Sequence, residues 1–65
     1  MTGREFRKIR LQLGLSQAAL ARLLEKHRET VNRWERGVMK IPRAIEFAMR
    51  YLLMAENGKG KDRPS

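Results

Sequence analysis

Residues 13–37 read LGLSQAALARLLEKHRETVNRWERG, and caps and spacing alone set out two helices joined by a turn on this stretch. Gly14 suits the end of a preceding helix, because a residue without a Cβ readily enters the left-handed backbone that closes a last turn. Ser16 is a good N-cap for a helix starting at Gln17, and Leu20, Ala21 and Leu24 recur at the spacing of one buried face. The next helix runs from about Arg28 to Arg36 and stops at Gly37.

On a wheel of 3.6 residues per turn, Arg28, Glu29, Asn32, Arg33 and Arg36 share an arc of about 140°. Val31 and Trp34 lie opposite, about 300° and 240° from Arg28. These two anchor the helix in a core, while the other side presents three guanidiniums, an amide and a carboxylate. Such groups match the base-pair edges in a DNA major groove: Arg bonds guanine O6 and N7, Asn bonds adenine N6 and N7, and Glu accepts from cytosine N4. The competing reading is the solvated side of an ordinary surface helix. Three Arg beside a single Glu, on a basic chain, favour a polyanion.

Upstream, Thr2 followed by Glu5 reads as a capping box, and Phe6, Ile9, Arg10 and Leu13 fall on one arc of a first helix. Downstream, Val38 to Ile41 reads as a loop. Pro42 suits the first turn of a fourth helix, where its missing N–H does no harm, and that helix continues to about Glu56, before Asn57-Gly58. The expected fold is all-α, with four helices over residues 1–57 and a disordered basic tail over residues 58–65, where Gly, Pro, Lys and Arg come without an apolar anchor. In the fourth helix Ile45, Ala48, Met49, Leu52, Leu53 and Ala55 can cover a core. Phe47, Tyr51 and Met54 lie about 180–240° from Ile45. They either form the contact of a twofold homodimer or pack on the first helix.

The 65 residues carry 15 Lys and Arg against 7 Asp and Glu, a net charge of +8, with no Cys and with His27 as the single His. A disulfide-stapled scaffold and a Cys-based zinc finger are excluded. No apolar run approaches the roughly 18 residues of a bilayer span, and the charged N-terminus lacks the apolar stretch of a secretory signal. An enzyme has little support, with one lone His and no carboxylate pair in a cleft. The few aromatics are all assigned to core or interface, which leaves none to stack on RNA bases.

The pieces Leu15-Ser16-Gln17, Leu20-Ala21, Thr30-Val31 and Trp34-Glu35-Arg36-Gly37, with Arg10 upstream and Lys40 and Pro42 downstream, strongly resemble the helix-turn-helix of the Cro/phage-repressor type, the XRE family. The resemblance covers about Glu5 to Tyr51 and implies a compact λ-repressor-like domain. Its second helix would cross the DNA backbone, and the helix from Arg28 would enter the major groove. It implies base contacts from Arg28, Glu29 and Arg33, and from Asn32 to a base or to sugar-phosphate. It implies phosphate contacts from Ser16, Gln17, Arg36, Lys40 and Arg43. Gln17 would also brace the first recognition residue, and Arg43 would reach toward the minor groove. Arg10 and Glu35 match a pair of positions that the family often joins in a partly buried structural salt bridge.

The function implied is a sequence-specific regulator of transcription that binds double-stranded DNA, most simply a homodimeric repressor on an inverted repeat, cytoplasmic and associated with the nucleoid. The alternative is an antitoxin, or a small phage or mobile-element regulator of the same fold, whose main partner is another protein. No cofactor, metal, small-molecule ligand or membrane is expected. The chain departs from the family at the turn: Glu25 stands where Gly is usual, Lys26 where an apolar residue is common, and His27 where Ser or Thr caps. Since Glu is strained in a left-handed backbone, a longer or differently shaped turn is expected.

Overall fold

Thr2 opens the first helix by reciprocal bonding. The Glu5 N–H donates to Thr2 Oγ1 (3.1 Å) and the Thr2 N–H donates to Glu5 Oε1 (2.9 Å), which satisfies two amides that a helix start leaves open. The computed structural model describes residues 1–61, with side chains for residues 1–57. The helices are α1, Gly3–Gln12; α2, Gln17–Leu23; α3, Arg28–Glu35; and α4, Arg43–Lys61. No strand occurs among the described residues.

The first three helices end alike. Gly14 (φ 72°), Glu25 (φ 58°) and Gly37 (φ 75°) stand in the left-handed region just past α1, α2 and α3. The amide after each folds back onto the last turn: Leu15 N–H donates to Arg10 O (3.2 Å), Lys26 N–H to Ala21 O (2.8 Å) and Val38 N–H to Arg33 O (3.0 Å). This Schellman closure satisfies carbonyls that a helix end leaves open. The turn between α2 and α3 is therefore neither longer nor reshaped, contrary to the expectation drawn from Glu25. Leu20, Ala21 and Val31 are buried on either side of it. Their burial, about 1.5–3 kcal/mol for each large side chain, outweighs the roughly 1–2 kcal/mol of strain in one left-handed residue.

His27 stands at the N-cap of α3 but makes no side-chain cap bond. Pro42 precedes α4 by one residue rather than lying in its first turn, and its carbonyl accepts from the amides of Ile45 (3.0 Å) and Glu46 (3.1 Å). The helix α4 runs through Lys61, past the end expected near Glu56. Glycine lowers helix propensity by about 1 kcal/mol but keeps its N–H, so Gly58 weakens the ladder without breaking it. Residues 62–65 of the expected tail lie outside the described residues.

All four helices supply the core: Phe6, Leu20, Ala21, Val31, Trp34, Ile45 and Met49 are buried, with Met1, Ile9, Leu15, Leu24, Ile41 and Leu52 closing around them. Phe6 meets Trp34 edge to face, with ring centroids 5.6 Å apart and planes at 63°, a geometry aromatic quadrupoles favour. The buried Trp34 Nε1 has no hydrogen-bond partner among the described residues, so Trp34 serves the core through its rings alone. Both α1 and α2 pack on α3, and α1 also packs on α4. Where α1 crosses the end of α3, the backbones nearly touch: a Cβ at Gly3 would lie 2.5 Å from Trp34 O and 2.6 Å from Glu35 O.

Candidate nucleic-acid interface

The helix α3 is divided lengthwise. Val31 and Trp34 are buried at 0% and 2% exposure, whereas Arg28, Glu29, Arg33 and Arg36 are exposed and Asn32 is half-buried. The Arg36 Nη1 group donates to Asn32 Oδ1 one turn back (3.4 Å). Among the described residues, Arg28, Glu29 and Arg33 make no side-chain hydrogen bond or ion pair. Their charged ends are therefore available to a ligand without an internal bond having to break.

Beneath this face one carboxylate joins three segments of chain. Arg10 Nε lies 2.5 Å from Glu35 Oε2, and Arg10 Nη2 donates to Glu35 Oε1 (3.2 Å). The third donor, Nη1, reaches Leu15 O (2.9 Å) in the link between α1 and α2. Gln17 Nε2 adds a bond to Glu35 Oε1 (3.1 Å). The two-pronged contact fixes orientation as well as distance, so α3 is aimed from α1 and from the first residue of α2. The brace from Gln17 to Arg28, implied by the family resemblance, is not made among the described residues. Gln17 faces the end of α3 that carries Glu35, and Arg28 starts that helix about 10 Å away along its axis.

Ser16 caps α2, its Oγ accepting from the Ala19 amide (3.0 Å). Beyond α3, Lys40 and Arg43 are exposed and line a shallow cleft with Met1, Ile41, Pro42 and Glu46. Glu46 is engaged by Arg50 (3.0 Å) and by the Met1 ammonium (3.4 Å). Those two bonds, Arg50's first, hold its carboxyl below the usual carboxylate range. Among the described residues, Lys40 and Arg43 make no ion pair. From Arg28 to Arg43 the surface carries five exposed cations, Arg28, Arg33, Arg36, Lys40 and Arg43, and one exposed acid, Glu29.

Along α4, Phe47, Tyr51 and Met54 are 60%, 65% and 67% exposed, so they do not pack on α1. Ala55, placed on the core side by the wheel, is exposed as well. The 10-residue α1 spans about 15 Å and the 19-residue α4 about 28 Å, so the second half of α4 outruns the helix it packs on. No group of three His, Cys, Asp or Glu able to hold a metal occurs among the described residues. No described helix is long and apolar enough to cross a membrane.

Compared with known families, the chain matches the model described as helix-turn-helix over residues 6–48, well over half its length. No curated protein and no solved structure gives a match.

Proposed function

The chain belongs to the helix-turn-helix family of Cro/phage-repressor (XRE) type, a family of DNA-binding transcription regulators, and from that membership we propose a homodimeric repressor that reads an inverted repeat in double-stranded DNA. The observation that carries this reading is the exposure of Arg28, Glu29 and Arg33 on the side of α3 opposite buried Val31 and Trp34. In the major groove those three, with Asn32, meet base edges, and each good bidentate contact supplies about 1–3 kcal/mol of discrimination. Ser16, Gln17, Arg36, Lys40 and Arg43 hold phosphates and set the register. Counterions released from those phosphates make binding fall steeply with salt. The protein works in the cytoplasm, on the nucleoid.

One recognition helix reads few base pairs. Two of them, about 34 Å apart on one face of the duplex, read a repeat. The exposed Phe47, Tyr51 and Met54 supply an apolar surface for a second copy. The same surface supports the other reading, an antitoxin or mobile-element regulator whose α4 is gripped by a different protein. Selection from a randomised duplex pool, with sedimentation at micromolar concentration, tests both. A palindromic consensus and a concentration-dependent dimer are expected. A single asymmetric half-site with a monomer would overturn the dimer, and no enrichment would overturn sequence-specific binding.

A further inference from the structure

The outer side of α1 carries a second basic surface. Counted from Arg4 on a helical wheel, Arg7 and Lys8 fall at about 300° and 40°, whereas Phe6 and Arg10 fall at about 200° and 240°. Phe6 and Arg10 are buried, and Arg4, Arg7 and Lys8 are exposed. Among the described residues these three cations make no side-chain hydrogen bond or ion pair. Glu5, the one acid of α1, is already engaged by the Thr2 amide (2.9 Å). The fold gains nothing from this stripe. Like charges three and four residues apart repel on a helix, and cations in its first turns oppose the helix dipole.

The stripe points away from the surface of α3 that carries Arg28 and Arg33. Phe6 meets Trp34 between the two helices, with ring centroids 5.6 Å apart, so α1 and α3 turn their outer sides in opposite directions. Two helix diameters, roughly 20 Å, separate the two basic surfaces. Screening at physiological salt acts within about 8 Å, so a polyanion on one surface scarcely repels a polyanion on the other. Leu11, 56% exposed, is the one large apolar side chain exposed on α1, too little for the apolar centre of a protein interface. A surface of charge alone suits a phosphate backbone, which is bound through its charge and without regard to sequence. We propose that Arg4, Arg7 and Lys8 bind the backbone of a second DNA duplex while α3 holds the first, so that the protein bridges two duplexes. The bridge rests on the DNA reading above and goes beyond it, because the second duplex is taken up by a face that reads no bases.

The test fixes a duplex enriched by selection to beads and measures how much of a labelled, unrelated duplex the protein retains on them, across a salt series. The natural chain should retain the labelled duplex, and retention should vanish at lower salt than binding to the fixed duplex, since few cations hold the second one. An Arg4→Gln/Arg7→Gln/Lys8→Gln variant should retain about tenfold less or lower still. Its affinity for the fixed duplex should stay within about twofold, and its melting temperature should not fall, because like-charge repulsion is relieved. Arg4→Gln/Lys8→Gln, which keeps Arg7, should lie between the two. Equal retention by the natural chain and the triple variant would overturn the proposal, as would no retention by a natural chain that binds the fixed duplex. An equal loss of affinity for the fixed duplex would place the stripe in the first contact and overturn it too. If poly-L-glutamate bound the natural chain but not the triple variant, with no labelled duplex retained, the stripe would belong to an acidic protein instead, and the bridge would fall. Should the natural chain bind neither duplex, the DNA reading itself fails, a result distinct from any of these.

Discussion

Arg10 of α1 and Glu35 of α3 face each other at 2.5 Å, with their side chains 10% and 5% exposed. Desolvating both charges offsets much of their attraction, so the pair as a whole adds little net stability. Removing one partner is another matter, since it strands a buried charge. Arg10→Met or Glu35→Leu alone should destabilise by about 3–5 kcal/mol, and the double variant by less than the sum. Chemical denaturation of the three variants checks this. Near-zero losses in both single variants would remove the pair from the account of how α3 is aimed.

Glu25 offers a gain in stability. It holds φ 58° with its side chain exposed, a backbone that glycine adopts without strain. Relief of the strain exceeds the entropy that glycine adds to the unfolded chain, so Glu25→Gly should stabilise by about 0.5–1 kcal/mol. Thermal melting is the measurement. A lower melting temperature would show that the carboxylate makes a compensating interaction.

Gly3 answers to a different constraint. Its backbone is helical, and alanine would ordinarily improve a helix by up to about 1 kcal/mol. Here a Cβ would meet the carbonyl oxygens of Trp34 and Glu35 at 2.5 and 2.6 Å, and both are rigid backbone. Gly3→Ala should therefore destabilise by about 1–3 kcal/mol and tilt α1 away from α3. Denaturation gives the first effect, and weakened DNA binding by the folded variant gives the second.

How legible each of these features was depends on how local its cause is. The caps at Thr2 and Ser16 and the closures at Gly14 and Gly37 arise from neighbours a few residues away, so residue type and spacing suffice. The two sides of α3 follow from Val31 and Trp34 in the same way. Glu25 misleads because its local strain points to an altered turn, while the burial of Leu20, Ala21 and Val31 on both flanks decides the geometry. The partner of Gln17 depends on where α2 crosses α3, and the demand on Gly3 on where α1 crosses it. Neither crossing is written in the residues next to those positions. The length of α4 escapes for a thermodynamic reason, since Gly58 lowers a propensity without forbidding the helix.

At the acid end, Glu5 should report the start of α1. The backbone N–H of Thr2, then its hydroxyl, holds the Glu5 carboxyl below the usual carboxylate range. A depressed folded-state value means that the stabilisation is present above the unfolded-state value and is lost as pH falls through the folded-state one. Glu5→Gln should flatten the decline of stability in acid. A carbon-detected titration that found Glu5 at the ordinary carboxylate value would contradict the capping box.

On the proposed DNA reading, Arg33 and Arg43 would separate the two kinds of contact. Arg33 is exposed on α3 beside Glu29, and Arg43 begins α4 in the cleft with Lys40. A guanidinium on a base edge carries sequence information, whereas one on a phosphate carries only register and charge. Arg33→Ala should thus weaken the selected duplex by about 1–3 kcal/mol, relax the preference at one base pair and leave an unrelated duplex nearly unaffected. Arg43→Ala should weaken both duplexes by a similar factor and reduce the salt slope by about 0.9. Competition binding over a salt series measures all of these quantities. If the two variants lost the same factor on both duplexes, with the same change in slope, neither residue would hold the place given to it, and α3 would have to enter the groove by another edge.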